Sequence, residues 1–114
     1  MTTIYHNPRC GTSRTVLQIL QEHGHEVEVV EYLKYPLNRD ALAKMIADAG
    51  LSVREAVRSK EALYTELGLG DASVSDDTLL EAMEANPILM NRPFVVAAKG
   101  TRLCRPAGVV QEIL

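Results

Sequence analysis

What the sequence lacks narrows its class before any motif is considered. No apolar run approaches the roughly 20 residues that a helix needs to cross a bilayer, so no membrane association is expected. No charged and then apolar leader precedes the first strand-like segment. Cysteine is limited to Cys10 and Cys104, at opposite ends of the chain. A secreted disulfide scaffold would carry more, so a reducing cytoplasm is the expected compartment. Basic excess is missing too: 12 Lys and Arg stand against 15 Asp and Glu, a net charge of −3, which argues against nucleic-acid binding. Any anion site must then be a local concentration of arginine set against the overall charge. Repeats, low-complexity stretches and flexible linkers are also absent, and 114 residues suit a single domain over 1–114.

What is present is an ordinary globular composition, 46% hydrophobic and 24% charged. Thr2-Thr3-Ile4-Tyr5 favours a strand that a turn at Asn7-Pro8 ends. From about Gly11 the period becomes helical, with Val16, Leu17, Ile19 and Leu20 on one face and Gly24 as a C′ stop. Residues 25–32 carry Val27, Val29 and Val30 and read as a second strand. A strand, helix and strand within about 30 residues form a βαβ unit with parallel strands.

The middle of the chain predicts helices. Asn38 caps one that runs to Ala49 and turns Leu42, Met45 and Ile46 inward. Ser52-Val53-Arg54-Glu55 is a capping box. Residues 60–67 continue in helical rhythm, and Ser75 caps a helix whose first turn holds Asp76 and Asp77. Phe94-Val95-Val96-Ala97 and Thr101-Arg102-Leu103-Cys104 flank Lys99-Gly100 as a hairpin. Pro106 then opens a closing helix bearing Val109, Val110, Ile113 and Leu114. The expected class is α/β: a thioredoxin-like fold, a small mixed sheet with a helical insertion between the second and third strands.

Chemistry concentrates around Cys10, between the first strand and the first helix. A thiol reacts as thiolate, and a helix N-terminus with nearby cations lowers its pKa. The N–H groups of Gly11, Thr12 and Ser13 can receive an anion there, and Gly11 lets a ligand approach the backbone. Ser13 stands where a dithiol motif would have its second cysteine, so no local resolving thiol exists, and an external thiol is expected. Its hydroxyl is a candidate donor to the thiolate. A phosphatase-type Cys-x5-Arg cradle is not matched either, because Arg14 follows after only three residues. Arg92-Pro93, at the place where thioredoxin-like folds carry a cis-proline beside the active cysteine, brings Arg92 toward the pocket. Arg105-Pro106 leaves the fourth strand on the same side, and Arg58 is a third candidate. The planar fork of a guanidinium suits a tetrahedral oxyanion. It also offsets the repulsion between an anionic nucleophile and an anionic substrate. His6 is placed to tune the thiolate or simply to pack. His23 and His25 alone make a weak zinc site, so no metal is expected. Cys104 reads as core.

These residues resemble the glutaredoxin-linked arsenate reductase (ArsC) family. The matching stretches are Tyr5-His6-Asn7-Pro8-Arg9-Cys10-Gly11-Thr12-Ser13-Arg14, Asn86-Pro87-Ile88-Leu89-Met90-Asn91-Arg92-Pro93 and Gly100-Thr101-Arg102-Leu103-Cys104-Arg105-Pro106. The resemblance implies that Cys10 is the nucleophile, that Arg58, Arg92 and Arg105 hold the oxyanion, and that His6 lies near the thiol. It implies arsenate as substrate, glutathione as co-substrate, glutaredoxin as partner and no tightly bound cofactor. One departure is Ala107-Gly108, where the family pattern reads Ser-Glu. Two alternatives remain open from the residues: a glutathione-dependent thiol reductase without arsenate activity, and a regulatory adaptor of the Spx type.

Overall fold

Strand order follows directly from which short β-branched runs find partners. The computed structural model describes all residues 1–114 and comprises two compact units. The first joins Met1–Tyr35 with Arg92–Leu114, and the second is Pro36–Asn91.

In the first unit, β1 (Thr2–Tyr5) lies at the centre of a four-stranded sheet of order β2-β1-β3-β4. β2 (Val27–Val30) runs parallel to it, Ile4 facing Val29 across the pair. β3 (Phe94–Ala97) is antiparallel to β1, and β4 (Gly100–Leu103) closes a hairpin on β3. α1 (Gly11–Glu22) connects β1 to β2 and buries Val16 and Leu20, one turn apart. Gly24 stops it at φ 76°, a conformation open to glycine. Ile4, Val16, Leu20, Val95, Cys104, Val110 and Ile113 form one core beneath α1 and the C-terminal segment. Each fully buried aliphatic side chain there contributes about 1.5–3 kcal/mol of apolar transfer.

Two expectations in this unit need correction. β2 is shorter than the run 25–32, because β1 offers a partner only to Val27–Val30. Past it the chain turns, with the N–H groups of Lys34 and Tyr35 donating to the Glu31 carbonyl. The closing segment Ala107–Ile113 is a 3₁₀ helix, not an α-helix, and Pro106 is its N-cap. Its buried residues, Val110 and Ile113, are three apart and so eclipse on one face at three residues per turn. Gly108 inside it also weakens the α alternative.

The second unit is the helical insertion between β2 and β3. α2 (Arg39–Asp48) is capped by Asn38, whose side chain accepts from the Ala41 N–H at 2.8 Å. α3 (Val53–Ala56) has the full capping box of Ser52 and Glu55. α4 (Ala62–Glu66) is shorter than the rhythm of 60–67 predicts, because Lys60 belongs to a turn in which the Glu61 N–H donates to the Arg58 carbonyl. α5 (Asp76–Ala85) begins at the Ser75 cap and packs Leu79, Leu80 and Met83 inward. A 3₁₀ turn at Pro87–Leu89 follows, and Val57 pairs with Met90 in an isolated antiparallel bridge. Neither is visible in the sequence pattern. No helix is long and apolar enough to cross a membrane.

Candidate active site

The site is built where β1 ends and α1 begins. Asn7 turns the chain: its carbonyl accepts the Cys10 N–H at 3.0 Å, and its side-chain Oδ1 accepts the Arg9 N–H at 3.0 Å. Such an Asx turn is a local substitute for a backbone turn and explains a polar residue only 3% exposed. Cys10 is then the N-cap of α1, in extended conformation at φ −90°, ψ 120°. Gly11, Thr12 and Ser13 are the first three helical residues, whose N–H groups have no carbonyl partner within the helix. Gly11 is exposed, Thr12 half-buried and Ser13 buried.

The sulfur of Cys10 is half-buried and unbonded to any other cysteine. Burial alone would raise its pKa. The Ser13 backbone N–H, the guanidinium groups of Arg92 and Arg105, and the net charge of Arg92 outweigh it and bring the thiol down to about 7. Arg105 Nη1 lies 3.6 Å from Sγ and also donates to the Arg92 carbonyl at 3.0 Å. One nitrogen thus ties the thiol to the peptide that precedes Pro93. Arg92 is only 8% exposed, and the Arg92–Pro93 bond is cis as the sequence predicts. The Arg105–Pro106 bond is cis as well, which was not expected.

His6 and Ser13 form a buried pair, His6 Nδ1 standing 2.6 Å from Ser13 Oγ. Ser13 Oγ also accepts the Asn7 N–H at 3.1 Å. A hydroxyl has one proton and two acceptor sites, so Oγ can hold the Asn7 N–H and still pair with His6 Nδ1 in either direction, as the imidazole tautomer sets. The Ser13 group that meets the thiolate is its backbone N–H, while its hydroxyl stands beside His6. Burial, first of all, keeps the His6 pKa below its usual value, with Glu31 opposing and Arg14 adding to the effect. Asn7 is the residue that the sequence reading passed over as a mere turn. Its signal was Asn before Pro, two residues ahead of an N–H to be accepted.

Arg58 belongs to the helical unit, where its N–H donates to the Leu89 carbonyl at 2.7 Å and its Nε stands 3.9 Å from Glu61 Oε2. Cys104 is fully buried, and burial, helped by the charge of Glu112, pushes its thiol up to about 12. His25 Nδ1 pairs with Thr2 Oγ1 at 2.9 Å. No group of His, Cys, Asp and Glu side chains stands together in a way that could hold a metal ion. The helical unit contains a cavity of about 580 Å³, lined by Asn38, Arg39, Asp40, Glu81 and Glu84. It holds no nucleophile, and its carboxylates repel anions. The arrangement around Cys10, by contrast, offers a ready thiolate, donor N–H groups and guanidinium charge.

Comparison with known proteins places these residues in a context. Residues 5–113 match the ArsC family profile. The chain is 61% identical over 112 residues to an arsenate reductase of Rhizobium meliloti (strain 1021), covering 98% of this chain and 80% of that one. It is 52% identical over 112 residues to an arsenate reductase of Escherichia coli (strain K12), covering 98% and 79%. The solved structure of an arsenate reductase from Vibrio cholerae superposes with a TM-score of 0.95 at 42% identity, covering 99% of this chain and 97% of that one.

Proposed function

The chain belongs to the ArsC family, and on that premise we propose that it reduces arsenate to arsenite with electrons from thiols. The observation that carries the reading is the Cys10 sulfur, with Arg105 Nη1 at 3.6 Å and a pKa brought to about 7. Near neutral pH about half of such a thiol is thiolate.

In the proposed reaction Arg92 and Arg105, joined by Arg58 as the family resemblance implies, hold the oxyanion. The N–H groups of Gly11, Thr12 and Ser13 add donors at the helix start. The Cys10 thiolate attacks arsenic, an As–O bond breaks, and the displaced oxygen leaves as water after protonation. Glutathione then replaces a second oxygen, again with loss of water. Its sulfur and the Cys10 sulfur join in a disulfide as both As–S bonds break and one electron pair passes to arsenic, which falls from As(V) to As(III), takes back one water and leaves as arsenite. A glutaredoxin thiol takes glutathione from the mixed disulfide and regenerates Cys10. An external thiol is required because Cys104 is buried and held protonated. His6 supports the site by fixing Ser13, whose N–H favours the thiolate. The reaction as written needs no metal and no tightly bound cofactor.

The test is arsenate-dependent NADPH consumption in a system containing glutathione, glutaredoxin and glutathione reductase. Turnover with arsenate that disappears in Cys10→Ser is the expected result. Protein that reduces model disulfides yet ignores arsenate would instead be a general thiol reductase.

A further inference from the structure

The proposed chemistry leaves Arg14, a cation close to Cys10, without a role. Arg14 lies one helical turn after Cys10, and its N–H donates to the Cys10 carbonyl at 3.0 Å. A cation in the first turn of a helix opposes the dipole, and α1 has no acidic residue there to offset it. None of the ion pairs in the chain involves Arg14. Its side chain instead folds back over the helix start: Nη1 donates to the Pro8 carbonyl at 2.9 Å. Nη2 comes within 3.7 Å of the position a Cβ on Gly11 would occupy. The guanidinium thus reaches Pro8, two residues before Cys10, and Gly11, the residue after it, remains exposed, and spends one donor on a neutral carbonyl. Its charge is felt at the buried His6. Local sterics and helix stability give no reason for a full positive charge at this position.

We propose that Arg14 is the docking cation for a carboxylate of glutathione when the glutathione sulfur meets the group carried on Cys10. This rests on the reading that an external anionic thiol completes the reaction. Glutathione suits the geometry because each of its carboxylates is roughly one to two residues of chain from its thiol, about 4–8 Å at the spacing of an extended peptide. An arginine bent over the residue next to Cys10 stands within that reach. The contact is a carboxylate–guanidinium pair, bidentate where the fork allows, and it forms and breaks no covalent bond. It is distinct from the oxyanion holders Arg92 and Arg105, which approach the sulfur from the strand ends.

The experiment compares two disulfides on the full chain without arsenate or glutaredoxin. In each, the Cys10 thiolate attacks a disulfide sulfur, forms a mixed disulfide and expels the second thiolate. Oxidised glutathione is the anionic probe and 2-hydroxyethyl disulfide the neutral one, with the mixed disulfide followed by intact mass. Arg14→Gln should slow the glutathione reaction about two- to fivefold, the range of an exposed ion pair at 1.4 kcal/mol per factor of ten. Arg14→Glu should slow it further, and Arg14→Lys should restore most of the rate. The neutral disulfide should react at the same rate with all of them, and the pH midpoint of Cys10 alkylation should stay put. In the coupled assay the same variants should raise KM for glutathione and leave KM for arsenate unchanged.

An Arg14→Glu protein with wild-type rates toward oxidised glutathione overturns the proposal. Equal slowing with both disulfides does so too, since that reports damage to the loop through the lost Pro8 bond. A shift in KM for glutaredoxin, with none for glutathione, assigns Arg14 to the protein partner and overturns it as well. Loss of arsenate turnover in the wild type, with the disulfide discrimination intact, leaves Arg14 as proposed and removes only the arsenate reading.

Discussion

Two cysteines in the same unit show how fully surroundings decide chemistry. Cys10 caps a helix at a loop, half-buried, with an amide and two guanidinium groups at its sulfur, and its pKa falls to about 7. Cys104 ends the hairpin inside the core, fully buried, with its sulfur 3.8 Å from the Arg102 carbonyl, and its pKa rises to about 12. Arginines neighbour both in sequence: Arg9 precedes Cys10, and Arg102 and Arg105 bracket Cys104. Sequence proximity of charge therefore does not make a thiol reactive. What counts is where the guanidinium arrives, and Arg105 reaches the sulfur 95 residues away, not that of its neighbour.

The strongest way to break this comparison is to remove each sulfur. Cys10→Ser should reduce arsenate turnover at least about 10³-fold, since no other group can take over as nucleophile. Cys104→Ser should leave turnover nearly unchanged and lower stability by about 1–3 kcal/mol, for placing a hydroxyl in a dry core. Coupled-assay rates and thermal melts read both. Comparable loss of turnover in the two variants would mean that Cys104 takes part in the reaction.

A smaller effect follows from stripping the charge from one side only. Arg92→Ala or Arg105→Ala should cost about 10²–10³ in kcat/KM for arsenate, the scale for removing a donor from a developing anion. Part of that loss should appear without arsenate. If the Cys10 pKa rises by about one unit, the thiolate fraction at pH 7 falls about fivefold, and so does the rate of iodoacetamide alkylation. Cys104 should remain unreactive in either folded variant. Alkylation of Cys10 with an unchanged pH midpoint in both variants would separate the arginines from the thiolate.

The contrast between the two thiols also marks what was readable from sequence. Cys10 was legible because its determinants are local: a strand ends, Gly11 opens a helix, and no second thiol follows at position 13. Cys104 was legible as core from its alternation with arginines along a strand. Arg92 and Arg105 could be pointed at the pocket only through the prolines after them and the resemblance of their stretches. Asn7 escaped because an Asx turn uses a side chain that composition marks as loop-like. For Ser13 the sequence offers a hydroxyl that folding sets beside His6, seven residues away, while its backbone N–H meets the sulfur. The 3₁₀ geometry of residues 107–113 was missed because Val110 and Ile113 fit either helix period over so short a run.

The smallest expected effect sharpens the comparison most, because the two cysteines should pull stability in opposite directions as pH changes. The folded pKa of Cys10, about 7, lies below the ordinary value of 9.0. Its contribution is therefore fully present above pH 9 and is lost as pH falls through 7. Cys104 is raised from 9.0 to about 12, so its contribution is fully present below pH 9 and is lost as pH rises toward 12. Between pH 7 and 9 the wild type should gain stability relative to Cys10→Ser. From pH 9 upward it should lose stability relative to Cys104→Ser. Urea melts of the three proteins at pH 6, 7, 8, 9 and 10, read as differences from the wild type, cancel every other titrating group that the variants share. Matching slopes for the two differences would mean that both sulfurs experience the same surroundings, and the division of labour between them would fall.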